Sequence, residues 1–435
     1  MNETIIFCGA GYHAEECVDR WLNEGLNAVC FAEIDKNKFY KTLGGLKILP
    51  LKKALKKYPD YVLYLTQGYE NLLPVTEDLI TRGIPRERIK YADSYEWRKG
   101  CSMMGKHIGF THNSWHFCCD IDNRQSISRT DSLATDVIRY RKYVDNVIND
   151  LRQGRPTPCD NCNALREGIW DKTPKLWRVG VTPYFAQTSC NFKCVYCFAK
   201  GKMTKETDKT ETPLDLLKGL YEIVKHENLV VGLAAGETTV NPWGDELLEF
   251  LLQNRWHTEI ATNASVYNDK ISTMLQNGIA EVLISLDAGT RETFAKIKGV
   301  DCWDMVMENT KKYAQAGGKI KLKYLVSEGI NDNETDMDGF INLCHNLNAD
   351  ALLHSDRIGI KALTPNMLAV CIHFARRVSE KGIKSLIFYE DFIASDRVVI
   401  EKEMQKKKVS IENHIKREEN LCGHWLNRLK SRLFK

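Results

Sequence analysis

Arg178-Val-Gly-Val-Thr-Pro-Tyr184 reads as a short strand, and behind it stands Thr188-Ser-Cys190-Asn-Phe-Lys-Cys194-Val-Tyr-Cys197-Phe. Three thiols spaced x3 and x2 share one loop. Thiolates are the standard ligands of iron–sulfur clusters. Three of them on a four-iron cube leave one iron without a protein ligand, and an open coordination position makes a metal site reactive. A structural zinc site would need a fourth Cys or His, and three unrelated core cysteines are the remaining alternative. Outward from this loop, strand candidates recur at Val230–Ala234, His257–Ala261, Glu281–Leu286, Lys319–Val326, Ala349–Leu353 and finally Ser385–Tyr389. Helical stretches such as Pro213–His226 and Pro242–Asn254 separate them. Six or so βα units in succession read as a parallel barrel or part of one, whose chemistry sits on the loops after the strands.

The chain has 435 residues, enough for two to four domains, with 43% hydrophobic and 27% charged residues. That balance is globular, and no stretch has the run of 18 or so apolar residues that a transmembrane helix needs. Sixty-one Lys and Arg against 57 Asp and Glu leave a net charge of +4, which gives nucleic-acid binding no support. Fifteen cysteines are present, an odd number that does not fit a small secreted disulfide scaffold. The N-terminus lacks a basic, then apolar, secretory pattern. The thiols are therefore expected to stay reduced in the cytoplasm, where clustered cysteines mean metal more often than disulfide.

The loop resembles that of the radical S-adenosylmethionine (SAM) superfamily, which has Cys-x3-Cys-x2-Cys with an aromatic, here Tyr196, before the last Cys. Four further stretches match in order. Ala235-Gly236-Glu237 after the second strand looks like the family's Gly-Gly-Glu-Pro motif, with Asn241-Pro242 behind it. Thr262-Asn263-Ala264 resembles Thr-Asn-Gly, Ser285-Leu-Asp287 resembles Ser-Leu-Asp, and Gly329-Ile-Asn331-Asp332 follows the fifth strand. The departures are Ala235 for Gly, Thr238 for Pro and Ala264 for Gly. The resemblance spans about residues 175–390. It implies that Cys190, Cys194 and Cys197 hold a [4Fe–4S] cluster whose open iron is chelated by the amine and carboxylate of SAM. It further implies that Glu237 accepts from the SAM amine, that Thr262 and Ser285 contact the methionyl carboxylate or ribose, that Tyr196 packs beside the adenine, and that Gly236, Asn263 and Asp287 also bind the cofactor. As single residues, Thr262 and Ser285 read equally well as ordinary strand-end polar groups, and Tyr196 as a core aromatic. Reductive cleavage of SAM to a 5′-deoxyadenosyl radical, which takes hydrogen from a substrate, is the implied reaction.

A second group of cysteines precedes the barrel: Cys101, Cys118, Cys119, Cys159 and Cys162. Its order of Cys, Gly, strand, Cys-Cys, helix, Cys-x2-Cys is similar to auxiliary-cluster modules of the SPASM and twitch type, which usually follow the barrel. An auxiliary [4Fe–4S] cluster, a zinc site and unligated thiols are the three readings. Neighbours on a strand face opposite ways, so one of Cys118 and Cys119 is the expected ligand.

At the N-terminus, strand Thr4–Cys8 leads into Gly9-x-Gly11-x-x-Ala14 and an amphipathic helix. This matches the dinucleotide fingerprint, with Asp35 about where a ribose-binding acid is expected. The segment looks like the small Rossmann-type domains of nucleotide-sugar and polysaccharide-tailoring enzymes, so a structural role or a nucleotide-linked substrate competes with NAD(P). The tail carries Trp425, Leu426, Leu429, Leu433 and Phe434 at helical spacing among basic residues, a stripe read as docked on its own domain.

The expected organisation is a Rossmann-like domain at 1–95, a Cys-rich auxiliary segment at 96–170, a partial (β/α)6 barrel at 171–395 and a helical tail at 396–435. The expected function is a cytoplasmic radical SAM enzyme acting on a small molecule, a carbohydrate or nucleotide sugar, by oxidation, epimerisation or dehydration. Its electron donor would be of the flavodoxin or ferredoxin kind. No residue is singled out as the catalytic group. A peptide- or protein-modifying maturase is the rival reading, and a non-catalytic iron–sulfur sensor is the alternative of another class.

Overall fold

A computed structural model describes residues 3–117, 126–160, 162, 165–181, 185, 187–197, 211–234, 236–357, 361–387 and 391–405. The chain divides into two compact units. The first holds residues 1–101, 148–157 and 165–174, and the second holds the remainder. Cys118, Cys119, Ala235 and the tail stripe at 425–434 lie outside the described residues.

In the first unit the strands are β1 (Thr4–Cys8), β2 (Ala28–Glu33), β3 (Thr42–Leu43), β4 (Leu46–Pro50), β5 (Tyr61–Leu65) and β6 (Ile89–Tyr91). The helices are α1 (Tyr12–Asn23), α2 (Leu51–Lys57) and α3 (Tyr69–Thr81). The sheet order is β3-β4-β2-β1-β5-β6, parallel except for β3. Apolar strands with helices between them bury both faces of such a sheet. Ile6, Cys8, Leu63 and Leu65 pack on one face with Ala54, Leu72 and Leu79 of α2 and α3. Phe7 and Phe31 pack on the other face with Ala14, Val18 and Trp21 of α1. Strand order reverses at β1, so the glycine loop leaves the sheet where doubly wound folds open a crevice. Asp93 ties α1 down, accepting from His13 Nε2 at 2.7 Å, Arg20 Nη2 at 2.5 Å and Trp21 Nε1 at 2.9 Å. A separate antiparallel pair joins β7 (Tyr95–Gly100) to β11 (Arg166–Asp171).

The second unit is built on a ten-stranded sheet. Its early strands are β8 (His107–Phe110), β9 (Ser114–His116) and β10 (Ile127–Ser128), with α4 (Leu133–Arg152) following in the chain. Then come β12 (Arg178–Val181), β13 (Val230–Leu233), β14 (Thr258–Thr262), β15 (Ala280–Ser285), β16 (Lys319–Val326), β17 (Asp350–Ser355) and β18 (Ser385–Ile387). Between and after them run α5 (Pro213–Val224), α6 (Gly244–Gln253), α7 (Asp269–Gln276), α8 (Arg291–Lys298), α9 (Trp303–Gln315), α10 (Glu334–Asn346), α11 (Pro365–Glu380) and α12 (Ala394–Gln405). The order is β10-β9-β8-β12-β13-β14-β15-β16-β17-β18, so β8 and β12 to β18 form one parallel run. The sheet does not close among the described residues. A partial barrel was the expectation, and the sheet agrees with it. The difference lies at its edge: His107–Phe110, read with the Cys-rich segment, joins this sheet beside β12. There β8 is covered by pairing with β12, a strand buried on both faces.

Register separates the two faces. Thr258, Ile260, Val282, Ile284, Ile320, Leu322, Tyr324 and Leu353 are all buried, the face that a helical layer covers in a βα fold. The alternate row, Glu259, Glu281, Lys319, Lys321, Ser285, Lys323 and His354, lines the opposite, concave face. At its lower end Arg178 Nε donates to Glu259 at 2.9 Å, and Glu281 takes Lys319 at 2.9 Å and Lys321 at 2.7 Å. Glycines make room for these side chains. A Cβ on Gly232 would stand 1.9 Å from Arg178 Nη2, and one on Gly180 would stand 2.5 Å from His107 Cε1.

The loop from β15 to α8 is held equally closely. Asp336 at the start of α10 accepts from the Gly289 amide at 3.0 Å, the Thr290 hydroxyl at 2.9 Å and Tyr324 OH at 2.9 Å. A Cβ on Gly289 would lie 1.8 Å from the Asp336 carbonyl oxygen and 2.4 Å from the Phe340 nitrogen. Backbone cannot yield as a side-chain end can. Gly289→Ala is therefore expected to lower stability by about 2–4 kcal/mol, read as a fall in the midpoint of chemical denaturation of the metal-free protein.

Candidate active site

The loop Ser189–Cys197 has little secondary structure and is held from three sides. On one side Asn241, just past the β13 loop, accepts from the Ser189 amide at 2.6 Å and the Ser189 hydroxyl at 3.0 Å, and donates to the Glu237 carbonyl at 2.8 Å. The Glu237 amide donates to the Ser189 carbonyl at 2.9 Å. On the second side, Asn263 at the end of β14 donates to Asn191 Oδ1 at 2.8 Å and to the Cys190 sulfur at 3.8 Å, and Asn191 donates to Ser265 at 2.8 Å. On the third, the last turn of α8 accepts two backbone bonds: Lys193 N to the Lys298 carbonyl at 3.0 Å and Val195 N to the Ile297 carbonyl at 2.9 Å.

Cys190, Cys194 and Cys197 are free and partly exposed. Burial raises the Cys190 and Cys194 thiols, and each is raised further by its neighbouring thiols; Lys298 and Lys323 pull Cys194 the other way. Metal binding would thus have to displace the protons. Three soft donors within electrostatic reach of one another fit an iron–sulfur cluster. No three His, Cys, Asp or Glu converge on a point where one ion could sit, among the described residues. A cuboidal cluster spreads three cysteines over three irons, whereas a structural zinc site calls for a fourth Cys or His ligand.

Glu237 is fully buried. Its carboxylate accepts from Thr239 N at 3.3 Å and Thr239 Oγ1 at 2.7 Å, from Thr262 Oγ1 at 2.9 Å and from Asn263 N at 2.6 Å. These four donors meet the roughly four lone-pair sites a carboxylate offers. Burial pushes this carboxyl above the ordinary range, and the donors from Asn263, Thr239 and Thr262 oppose that. Gly236 takes a left-handed backbone, φ 64°, which glycine adopts without cost. Ala264 also takes one, φ 55°, at the place where the resembling motif has Gly. An L-residue there carries a strain of about 1–2 kcal/mol. Asn309 holds it, donating to the Ala264 carbonyl at 2.9 Å.

Asp287, also fully buried, lies just past the end of β15. Its carboxylate accepts from Lys298 Nζ at 2.5 Å, the Leu325 amide at 2.9 Å and the Tyr196 hydroxyl, with Lys323 Nζ at 3.5 Å. Lys298 also donates to Tyr196 at 3.1 Å. Asn331, buried, donates to the carbonyls of Asp287 at 2.9 Å and Leu325 at 2.8 Å.

The predicted residues thus gather at the strand ends in two sets. Cys190, Gly236, Glu237, Thr262 and Asn263 form one; Cys194, Tyr196 and Asp287 form the other. Ser285, half-buried, lies on the concave face in register with Lys323. The Thr262 hydroxyl is turned to Glu237. Tyr196 is anchored through its hydroxyl to Asp287. Thr239, Asn191, Lys298 and Lys323 were not singled out from the sequence. For the two lysines it offered only periodic strand and helix positions.

Of the second cysteine group, Cys101, Cys159 and Cys162 lie among the described residues. Cys101 belongs to the first unit, and Cys159 and Cys162 belong to the second, where Cys162 N donates to the Cys159 carbonyl at 3.0 Å. At the N-terminal glycine loop the neighbouring acid is Glu33, at the end of β2, which accepts from Ala10 N at 2.8 Å. Asp35 accepts from Asn37 N at 3.0 Å and caps the turn that follows. The Thr66 hydroxyl donates to the Gly9 carbonyl at 2.5 Å and Lys38 donates to the Ala10 carbonyl at 2.9 Å. Of the two acids it is Glu33, two places before Asp35, that touches the loop backbone.

Residues 184–341 match the family model described as the radical SAM superfamily. This stretch is a radical SAM domain. Such a domain takes a [4Fe–4S] cluster and SAM, and the cysteine loop, the Glu237 turn and the strand ends after β14 and β15 all fall within it. The chain is similar to the molybdenum cofactor biosynthesis protein moc-5 of Caenorhabditis elegans, 29% identical over 164 residues, covering 37% of this chain and 27% of that one. It is also similar to a probable GTP 3′,8-cyclase of Saccharolobus islandicus, 28% identical over 166 residues, 38% of this chain and 52% of the relative. The match therefore spans a quarter to a half of these relatives' own length. Among solved structures, Streptococcus suis SuiB bound to S-adenosylmethionine aligns with 60% of this chain and 54% of its own at 14% identity and a TM-score of 0.40. No helix among the described residues is long and apolar enough to cross a membrane.

The charges around Asp287 give the radical SAM domain a defined acid response. Burial alone would raise this carboxyl, but Lys298 and then Lys323 hold it at about 2, below its ordinary 3.8. A group depressed in the folded state adds stability above its unfolded value and loses it as pH falls through the folded one. The expected contribution is roughly 2 kcal/mol, complete above about pH 5 and lost between about pH 4 and 2. Asp287→Asn in the metal-free protein should flatten that limb of a denaturation series against pH.

Proposed function

We propose that this protein is a radical SAM enzyme that cleaves SAM reductively and uses the resulting radical to take a hydrogen atom from a small molecule. The observation that carries this reading is the loop of Cys190, Cys194 and Cys197, held by Asn241, Asn263 and α8 beside the buried Glu237. When bound, the cluster and SAM supply the one-electron chemistry.

The residues of the chain bind and orient. Cys190, Cys194 and Cys197 are the cluster ligands of the proposal. The Glu237 carboxylate, fixed by Thr262 and Asn263, would hold the SAM amine through a charge-assisted contact. Gly236, with no side chain, leaves the backbone open beside it. Ser285 and Lys323 on the concave face suit the methionyl carboxylate and ribose. Asn263 holds Cys190, so it orients a ligand as well as the carboxylate.

We infer further that the substrate is a carbohydrate or nucleotide-linked sugar that is oxidised, epimerised or dehydrated. Support comes from the doubly wound first unit, whose glycine loop opens at the strand-order reversal with Glu33 and Lys38 beside it. Several relatives of the radical SAM domain are named as GTP 3′,8-cyclases, which is in keeping with a nucleotide-bearing substrate. The same reading puts the protein in a reducing cytoplasm with a flavodoxin- or ferredoxin-type donor. Cys159 and Cys162, with Cys101, are kept as candidate ligands of an auxiliary cluster.

Two outcomes are expected. Anaerobically reconstituted protein given SAM and a strong reductant should release 5′-deoxyadenosine, measured by mass spectrometry, and Cys194→Ala should release none. Full product from that variant would sink the cluster assignment. In thermal shift, nucleotide sugars should raise the Tm of the wild type and leave Gly11→Trp unmoved, because only a state-selective ligand stabilises. A response to short peptides alone would replace the sugar reading with the peptide-maturase one.

A further inference from the structure

Lys298 and Lys323 lie beside the cysteine loop without touching a cysteine, and, the proposed contact of Lys323 with the methionyl carboxylate aside, the site as described uses their charge only to hold Asp287. Lys298 is 1% exposed and Asp287 is 0% exposed, and their 2.5 Å pair sits at the third anchor of the loop. Lys323 comes from the concave face of β16, 3.5 Å from the other Asp287 oxygen. The two ammonium groups stand on the ring of Tyr196, at 5.5 Å and 5.1 Å from its centroid. Tyr196 is the residue between Cys194 and Cys197, and its hydroxyl donates to Asp287. Both lysines act electrostatically on the Cys194 sulfur.

Two positive groups on one carboxylate leave a single net positive charge, with Lys298 and Asp287 buried and Lys323 half-buried. Stability does not account for it. A buried ion pair is often no more stabilising than apolar side chains of the same volume, and a second ammonium adds desolvation cost. Nor does anchoring need charge, because the Lys193 and Val195 amides already fasten the loop to α8. A fixed charge of this kind does act on a redox centre. Reducing a cluster adds one negative charge, and the potential of an iron–sulfur centre follows the net charge and burial around it.

Resting on the proposed cluster assignment, we infer that Lys298 and Lys323, arranged on Tyr196 and Asp287, set the reduction potential of the cluster held by Cys190, Cys194 and Cys197. They are positioning residues that make it easier to reduce than the same ligands alone. Asp287 works in the opposite sense, offsetting one of the two charges while holding both in place. The bound centre would then accept an electron from a weaker donor than three cysteines in a neutral pocket would require.

The test is an EPR-monitored redox titration of the reconstituted full chain without SAM, alongside iron and sulfide analysis. Lys323→Met should move the midpoint to more negative values and Asp287→Asn to less negative ones. Each shift should be at least about threefold in the reduced-to-oxidised ratio at one fixed potential. Lys323→Arg, which keeps the charge, should restore the wild-type midpoint. A purely structural role would change the amount of cluster and not give shifts of opposite sign. Shifts of the same sign, or a Lys323→Met protein with wild-type iron and an unmoved midpoint, would overturn the inference. A wild-type protein that takes up no cluster would overturn the reading beneath it.

Discussion

A carboxylate taken wholly out of water must be met by donors or by positive charge, because its desolvation otherwise costs several kcal/mol. Glu237 and Asp287 are both in that position, and the arrangement around the cysteine loop follows from how each is satisfied. Glu237 is met by neutral donors: the hydroxyls of Thr239 and Thr262 and the amides of Thr239 and Asn263. Those donors come from the turn after β13 and the end of β14, so satisfying the carboxylate draws two loops together. Asp287 is met mainly by ammonium groups from α8 and β16 and by the hydroxyl of Tyr196. Satisfying it draws together a helix end, a strand and the cysteine loop. The two solutions leave opposite electrostatics. Burial lifts Glu237 above its usual range, while the lysines keep Asp287 ionised.

The sheet below makes this possible by putting different chemistry on its two faces. Apolar residues on the buried row fix the strands, and the concave row is free to carry charge. Arg178, Glu259, Glu281, Lys319 and Lys321 fill its lower part with paired ions, over glycines that leave room for them. Higher up the row the side chains are Ser285 and Lys323, with Leu325 and His354 beyond them. His354 is turned to Asp391 at 2.7 Å, so the upper end remains polar and ordered. The chain thus packs the barrel floor with its own ions and leaves polar side chains at the strand ends, where the loops of βα folds carry chemistry.

Much of this could be read from the sequence, for reasons specific to the elements concerned. The βα rhythm from Arg178 onward is visible because short stretches with apolar residues at alternate or successive places recur between amphipathic helices. The motifs were visible because short polar signatures recur at strand ends. What escaped was non-local. His107–Phe110 has the composition of any short strand, and only pairing with β12 places it in the barrel. Lys298 closes an ordinary amphipathic helix, and nothing in Lys296-Ile-Lys298-Gly marks its ammonium as buried. Asp35 fits a spacing rule, and only the structure adds Glu33 beside the loop, accepting from Ala10 N. Thr262 is one polar residue at a strand end, and only the structure gives its hydroxyl a partner, a carboxylate 25 residues earlier in the chain.

The three-sided anchoring of the cysteine loop follows from a limit on metal sites. Before a metal arrives, three thiols on a loop have little attraction for one another, and burial pushes the Cys190 and Cys194 thiols up. Ordering such a loop costs about 1–2 kcal/mol per residue in backbone entropy. Unless that cost is met beforehand, it is subtracted from metal affinity. Asn241 fixes the entrance of the loop, Asn263 its first cysteine, and the end of α8 the stretch around the second. Each anchor comes from a different strand-end loop or helix, so the thiols inherit the rigidity of the sheet rather than that of the loop. Tyr196 extends the same logic to the third cysteine, since its hydroxyl is tied to a carboxylate that β16 and α8 both hold. A loop built in this way meets its ligand already shaped, and the order needed for binding is supplied by the fold.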